Sequence, residues 1–92
     1  MIKKFRHKGL QLFFEDDDGS KLPPDMLDRI RLILSTLHAA IEIDGMKLPG
    51  FNLHPLKGKR KGFWSVTVRA DWRIIFKFKD GNAFGVDFID YH

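Results

Sequence analysis

The chain has no cysteine among its 92 residues, which excludes a disulfide framework and a thiolate zinc site and suits a reducing compartment. No apolar run approaches the ~18–20 residues that a helix needs to cross a bilayer. The opening MIKKFRHKGL has basic residues with no apolar segment behind them, so it does not read as a secretory signal. Nothing repeats internally and no linker divides the chain, so the expectation is one domain, 1–92. Such a domain buries roughly 60–65% of its unfolded surface. With 43% hydrophobic and 30% charged residues, the composition is that of a globular protein rather than a disordered one.

Acidic residues are scarce where basic ones concentrate. Between Lys57 and Lys79, eight Lys and Arg stand against Asp71 alone. Residues 1–50 are charge-balanced, so the whole net charge of +4 comes from residues 51–92. A local cation excess of this kind is the footprint of a polyanion binder.

Patterning predicts an α+β fold. Ile2–Phe5 reads as a short edge strand guarded by Lys3 and Lys4. Leu10, Phe13 and Phe14 have the spacing of a short helix, followed by an acidic loop at Glu15–Ser20. Pro23-Pro24-Asp25 opens a second helix. Its inward stripe is Leu27, Ile30, Leu34, Leu37 and Ile41, widened by Met26 and Ile33. Asp44-Gly45 is expected to end it. His38, beside that stripe, reads as a packed helix residue rather than a ligand.

Beyond Gly50 the period becomes two. Trp64, Val66 and Val68, then Trp72, Ile74, Phe76 and Phe78, then Phe84, Val86 and Phe88 form one apolar face, with Asp80-Gly81 as a hairpin turn. The two N-terminal-half helices must cover that face of an antiparallel sheet. The opposite face is expected to carry Ser65, Thr67, Arg69, Arg73, Lys77 and, past Ile89, Tyr91. His54 and Lys57 fall in the irregular segment leading into the sheet, and His92 is the last residue.

These residue types suit one reaction. Cleavage of RNA by its own 2′-hydroxyl needs a base for the hydroxyl proton, cations for the phosphorane and an acid for the departing 5′ oxygen. Imidazole serves the first or third task, because its unperturbed pKa of about 6.5 lies near working pH. Guanidinium and ammonium groups serve the second, and Tyr91 offers a ring on which bases can stack. The set requires no metal and no cofactor. The spacing of His54, Asp90 and His92 is not a local metal-ligand pattern.

The segments LHPLKG at Leu53–Gly58, Trp64–Arg69, Asp71-Trp72-Arg73 and the closing Asp90-Tyr91-His92 resemble the HigB toxins of the RelE-like superfamily. The likeness extends over the whole chain, with its most specific motifs in the last forty residues. One departure is Asp71, where the family pattern is closer to Asn-Trp-Arg. The resemblance implies a RelE-like fold and a ribosome-dependent mRNA endonuclease of the bacterial cytoplasm, acting in the A site. It also implies a HigA-like helix-turn-helix antitoxin as partner, a monomeric toxin and no membrane association. The family's functional positions fall on His54, Lys57, Arg73, Asp90, Tyr91 and His92. In these roles His54 or His92 moves protons, Lys57 and Arg73 meet phosphate charge, Tyr91 stacks or orients, and Asp90 orients a His. Lys59, Arg60 and Lys61, with Arg69 and Lys77, would bind RNA phosphates of the message and of the 16S rRNA in the 70S ribosome. The alternative is an RNA- or ribosome-binding translation regulator that uses the same basic face without chemistry. In either case RNA affinity is expected to fall as salt rises, because bound phosphates release counterions. A titration of affinity against salt concentration measures this.

Overall fold

Alternation from Trp64 onward does fold as an antiparallel sheet. A computed structural model, which describes residues 1–91, contains strands β1 (His54–Pro55), β2 (Trp64–Arg69), β3 (Trp72–Lys79) and β4 (Asn82–Asp90). They lie side by side in chain order, each antiparallel to the next. Two helices precede them, α1 (Lys8–Asp16) and α2 (Leu27–Ala39). His92, a candidate site residue by sequence, lies outside the described residues.

The first residues form isolated bridges to β4 rather than the short edge strand that the pattern predicts. Ile2 pairs with Ala83 and Phe5 with Val86, both in parallel. The Lys3 N–H donates to the Ala83 carbonyl at 2.8 Å. Pairing here closes an edge that would otherwise present free backbone groups.

α1 begins at His7, whose Nδ1 accepts from the Leu10 N–H at 3.2 Å and so satisfies one of the orphan donors of the first turn. Asp17, in the left-handed region at φ 56°, ends it. α2 enters through a 3-10 turn, Pro24–Met26. Leu10 and Phe13 of α1 join Ile30, Ile33, Leu34 and Leu37 of α2 in one buried cluster with Val66, Ile74, Phe76 and Val86 of the sheet. Burying each such side chain is worth about 1.5–3 kcal/mol. His38 behaves as a packing residue: its ring lies 5.1 Å from that of Phe14 and its Nδ1 accepts from the Ile2 N–H at 3.1 Å.

α2 stops at Ala39, earlier than Asp44-Gly45, and Ile41 is 82% exposed instead of completing the stripe. The Ile41 backbone meets the β3–β4 turn, where a Cβ on Gly81 would stand 3.3 Å from the Ile41 carbonyl oxygen. Met46, from the 3-10 turn Ile43–Met46, is fully buried in the core instead.

Two breaks in strand register correct the simple alternation. Gly85 sits at φ +60°, and the β3–β4 register shifts beside it, between Ile75 and Lys77. Ala83 and Val86 are therefore both buried, whereas Phe84 pairs with Lys77 on the other face. An extra residue in one strand reverses the parity of everything beyond it. The second break lies at Val68, so that Thr67 pairs with Arg73 but Arg69 pairs with Trp72. Arg69 thus turns to the helix side, where it forms an ion pair with Asp25, and does not join Arg73 on the open face.

Gly85→Val places a β-branched residue in the left-handed region, which costs about 1–2 kcal/mol. For a domain of this size the melting temperature is expected to fall by roughly 4–15 °C, a shift that calorimetry or thermal circular dichroism detects.

Candidate nucleic-acid interface and active site

The core side chains of β3 decide what its other face displays. Ile74 and Phe76 point into the helices and are fully buried, so Arg73, Ile75 and Lys77 point away. Cross-strand pairing then arranges this open face in rows. One row runs His54, Ser65, Ile75, Asp87 from β1 to β4, and the next runs Thr67, Arg73, Ile89. Leu56 and Ile75 are buried yet stand apart from the main core cluster, giving this face an apolar floor of its own.

His54 stands on β1, a two-residue strand paired with β2, rather than in an irregular segment. It is exposed, and its Nδ1 lies 2.9 Å from the Asn52 carbonyl oxygen. A carbonyl only accepts, so Nδ1 carries the proton and, in the neutral ring, Nε2 is left with a free lone pair.

Arg73 lies mid-sheet. Its Nη1 donates to the carbonyls of Ala70, in the β2–β3 turn, and Trp72, the latter at 3.1 Å. Its Nε is buried and has no partner among the described residues, as is the Ser65 hydroxyl. Buried donors without partners are uncommon, and a guanidinium as a whole offers a phosphate a planar fork of donors. Tyr91 is 44% exposed and anchored by its N–H to the Asp71 carbonyl at 2.7 Å. That places it beyond Ile89 at the Arg73 end of the face. Asp90 pairs with Trp72 and so has the opposite parity to Arg73 at the tip of β4.

The basic loop occupies the other end. Gly58–Arg60 forms a 3-10 turn at the tip of the β1–β2 hairpin, and Lys57, Lys59, Arg60 and Lys61 are all exposed. Among the described residues none of these four makes an ion pair. Lys77 reaches over Phe63, its Nζ 5.1 Å from the ring centre. Three strand spacings, roughly 14 Å, separate β1 with His54 from β4, and Tyr91, just past the end of β4, lies four residues beyond Asp87 of the His54 row, with Arg73 on a strand between. The residues line one surface and do not form a hydrogen-bonded cluster.

Sequence reasoning passed over Asn52, and it placed Ser65 on the open face, where the structure buries its side chain. Asn52 lies at φ 51°, and Asn is among the few non-glycine residues that take this conformation readily. That preference was the available signal. Among the described residues, no group of three or more His, Asp or Glu is placed to hold a metal ion, and no helix is long and apolar enough to cross a membrane.

The same arrangement of helices on a four-stranded antiparallel sheet occurs in toxins of known structure. A YafQ variant from Escherichia coli matches with a TM-score of 0.62 at 20% identity, over 96% of this chain and 89% of its own. The heterotetrameric YoeB–YefM toxin–antitoxin complex of Staphylococcus aureus contains a chain that matches with a TM-score of 0.62 at 16% identity, over 100% of this chain and 98% of its own. In sequence, the family model for the HigB-like, RelE-like toxin of type II toxin–antitoxin systems matches residues 3–92. Endoribonuclease HigB of Proteus vulgaris is 48% identical over 92 residues, the whole of both chains. Toxin HigB-1 of Vibrio cholerae serotype O1 is 32% identical over 94 residues, covering all of this chain and 98% of its own. The fold is thus that of the RelE-like toxins. Within that class, this chain belongs to the HigB-like family.

Replacing the two strand arginines separates their roles. Arg69→Ala removes an exposed ion pair, worth about 0.2–1 kcal/mol, and is expected to leave RNA affinity nearly unchanged. Arg73→Ala is expected to weaken RNA binding several-fold while the melting temperature holds. Fluorescence anisotropy with a short single-stranded RNA, alongside thermal melts, measures both.

Proposed function

We propose that this protein is an endoribonuclease that cuts messenger RNA in the ribosomal A site, using the substrate's own 2′-hydroxyl as nucleophile. The observation that carries this reading is that His54 and Arg73 lie in adjacent rows of one open sheet face, in a chain 48% identical to endoribonuclease HigB of Proteus vulgaris. A strand of message laid across the face brings a 2′-hydroxyl to an imidazole. The O2′–H bond breaks as the ring nitrogen takes the proton. O2′ bonds to phosphorus, and the P–O5′ bond breaks as an acid protonates the leaving oxygen.

Arg73 and Lys57 offset the charge of the phosphorane. Tyr91 stacks a base and holds the strand in line. His92 supplies the second imidazole, and Asp90 orients a histidine. Imidazoles carry the protons and cations carry the charge, so the reaction runs without a metal. Lys59, Arg60, Lys61 and Lys77 hold phosphates of message and of 16S rRNA on the 70S ribosome.

In this reading the toxin works as a monomer in the bacterial cytoplasm. Its antagonist is a HigA-like helix-turn-helix antitoxin. A toxin–antitoxin complex among the structural neighbours supports a protein partner of that kind.

Incubation with translating ribosomes, followed by mapping of message 3′ ends, tests the reading. The expected product ends in a 2′,3′-cyclic phosphate at an A-site codon. His54→Ala and Arg73→Ala are each expected to slow cutting by roughly 100- to 10,000-fold with the fold retained. Message left intact by a ribosome-bound protein would overturn catalysis in favour of a non-catalytic translation regulator.

A further inference from the structure

The turn before β1 is held with more bonds than a short edge strand requires. The Arg29 Nη2 reaches from α2 to donate to the Gly50 carbonyl at 2.7 Å and to the Thr67 carbonyl at 3.2 Å. Its guanidinium lies 5.0 Å from the centre of the buried Phe51 ring. The Thr67 N–H donates to the Phe51 carbonyl at 2.8 Å, and the Asn52 Nδ2 makes a long contact of 3.4 Å to the Thr67 Oγ1. Gly50 at φ +84° and Asn52 at φ 51° give the turn its left-handed backbone. The carbonyl that this turn presents is the Asn52 oxygen bonded to the His54 Nδ1.

We propose that Asn52 is a positioning residue: its left-handed backbone holds the carbonyl that fixes His54 as the Nδ1–H tautomer, making Nε2 the nitrogen that faces substrate. The inference deepens the endonuclease reading and rests on it for its effect on rate. An exposed histidine with no partner exchanges between tautomers and ring orientations. A fixed acceptor on one nitrogen removes that freedom and commits the other. Neutral His54 then accepts the 2′-hydroxyl proton at Nε2, which assigns it the base and leaves the acid to another group. Any residue retains a carbonyl, so what matters is the backbone angle. Asparagine tolerates that angle and a β-branched side chain does not.

The test compares substitutions that differ in their tolerance of positive φ. In the parent protein, long-range proton–nitrogen correlation spectra of the ring are expected to show the Nδ1–H tautomer at alkaline pH. Asn52→Val is expected to lose that signature and to cut message roughly 10–100-fold more slowly, the usual cost of removing a ligand's orienting partner. Asn52→Gly, which accepts φ 51°, is expected to recover both readouts relative to Val. Asn52→Ala, a milder perturbation, provides an intermediate case should the Val variant fold poorly. An Nε2–H tautomer in the parent overturns the proposal, as does an Asn52→Ala protein whose ring spectrum and rate both match the parent. A parent that shows the Nδ1–H ring but cuts no message supports the positioning role and overturns the endonuclease reading, so the two failures are distinguishable.

Discussion

The burial of Ile74 and Phe76 in the core that the sheet shares with the helices is the constraint on which the rest of this structure depends. Side chains of one strand alternate between faces, so seating these two residues in the core leaves Arg73 no choice of side. β3 is also an interior strand, paired along both edges. Its orientation is therefore transmitted by backbone hydrogen bonds to His54 through Ser65 and to Ile89 through Arg73. A cationic surface can only be built on a sheet this small if its other side is thoroughly apolar.

Charge is sorted by the same geometry. Asp17 and Asp25 are engaged by Arg31 and Arg69, each bringing a basic side chain to a carboxylate of the helical half of the chain. The cations of the β1–β2 loop stand away from these pairs and remain available for an anionic partner. Arg69 belongs to the first group because of one extra residue, Val68. Without that bulge it would share the open face with Arg73.

The turn from Gly50 to His54 adds a second level of control. Arg29 ties it to α2 and Thr67 ties it to β2, so the orientation of His54 depends on the helix layer behind the sheet as well as on its own strand. Such support suits a group required to hold one ring orientation while remaining open to solvent.

Much of this was legible in the chain itself. The two-residue period of β2 and β3, the three- and four-residue steps of both helices, the Asp80-Gly81 turn and the cation excess after Gly50 are local signals, each set by how a side chain fits its own neighbours. They determined the α+β class, the side of the sheet that is buried and the side on which Arg73 lies, and the family motifs identified the candidate positions, whereas the place of His54 on β1 came from its pairing with Ser65. Tertiary structure alone decided the points that depend on distant contacts. The register slips at Val68 and Gly85 sent Arg69 to the helices and Phe84 to the open face. α2 ended at Ala39, with the Ile41 backbone against the β3–β4 turn, and an arginine from α2 tied down the Gly50 carbonyl, two residues before the one that faces His54. Each of these outcomes was fixed by a partner far along the chain, and a one-dimensional pattern carries no measure of that proximity.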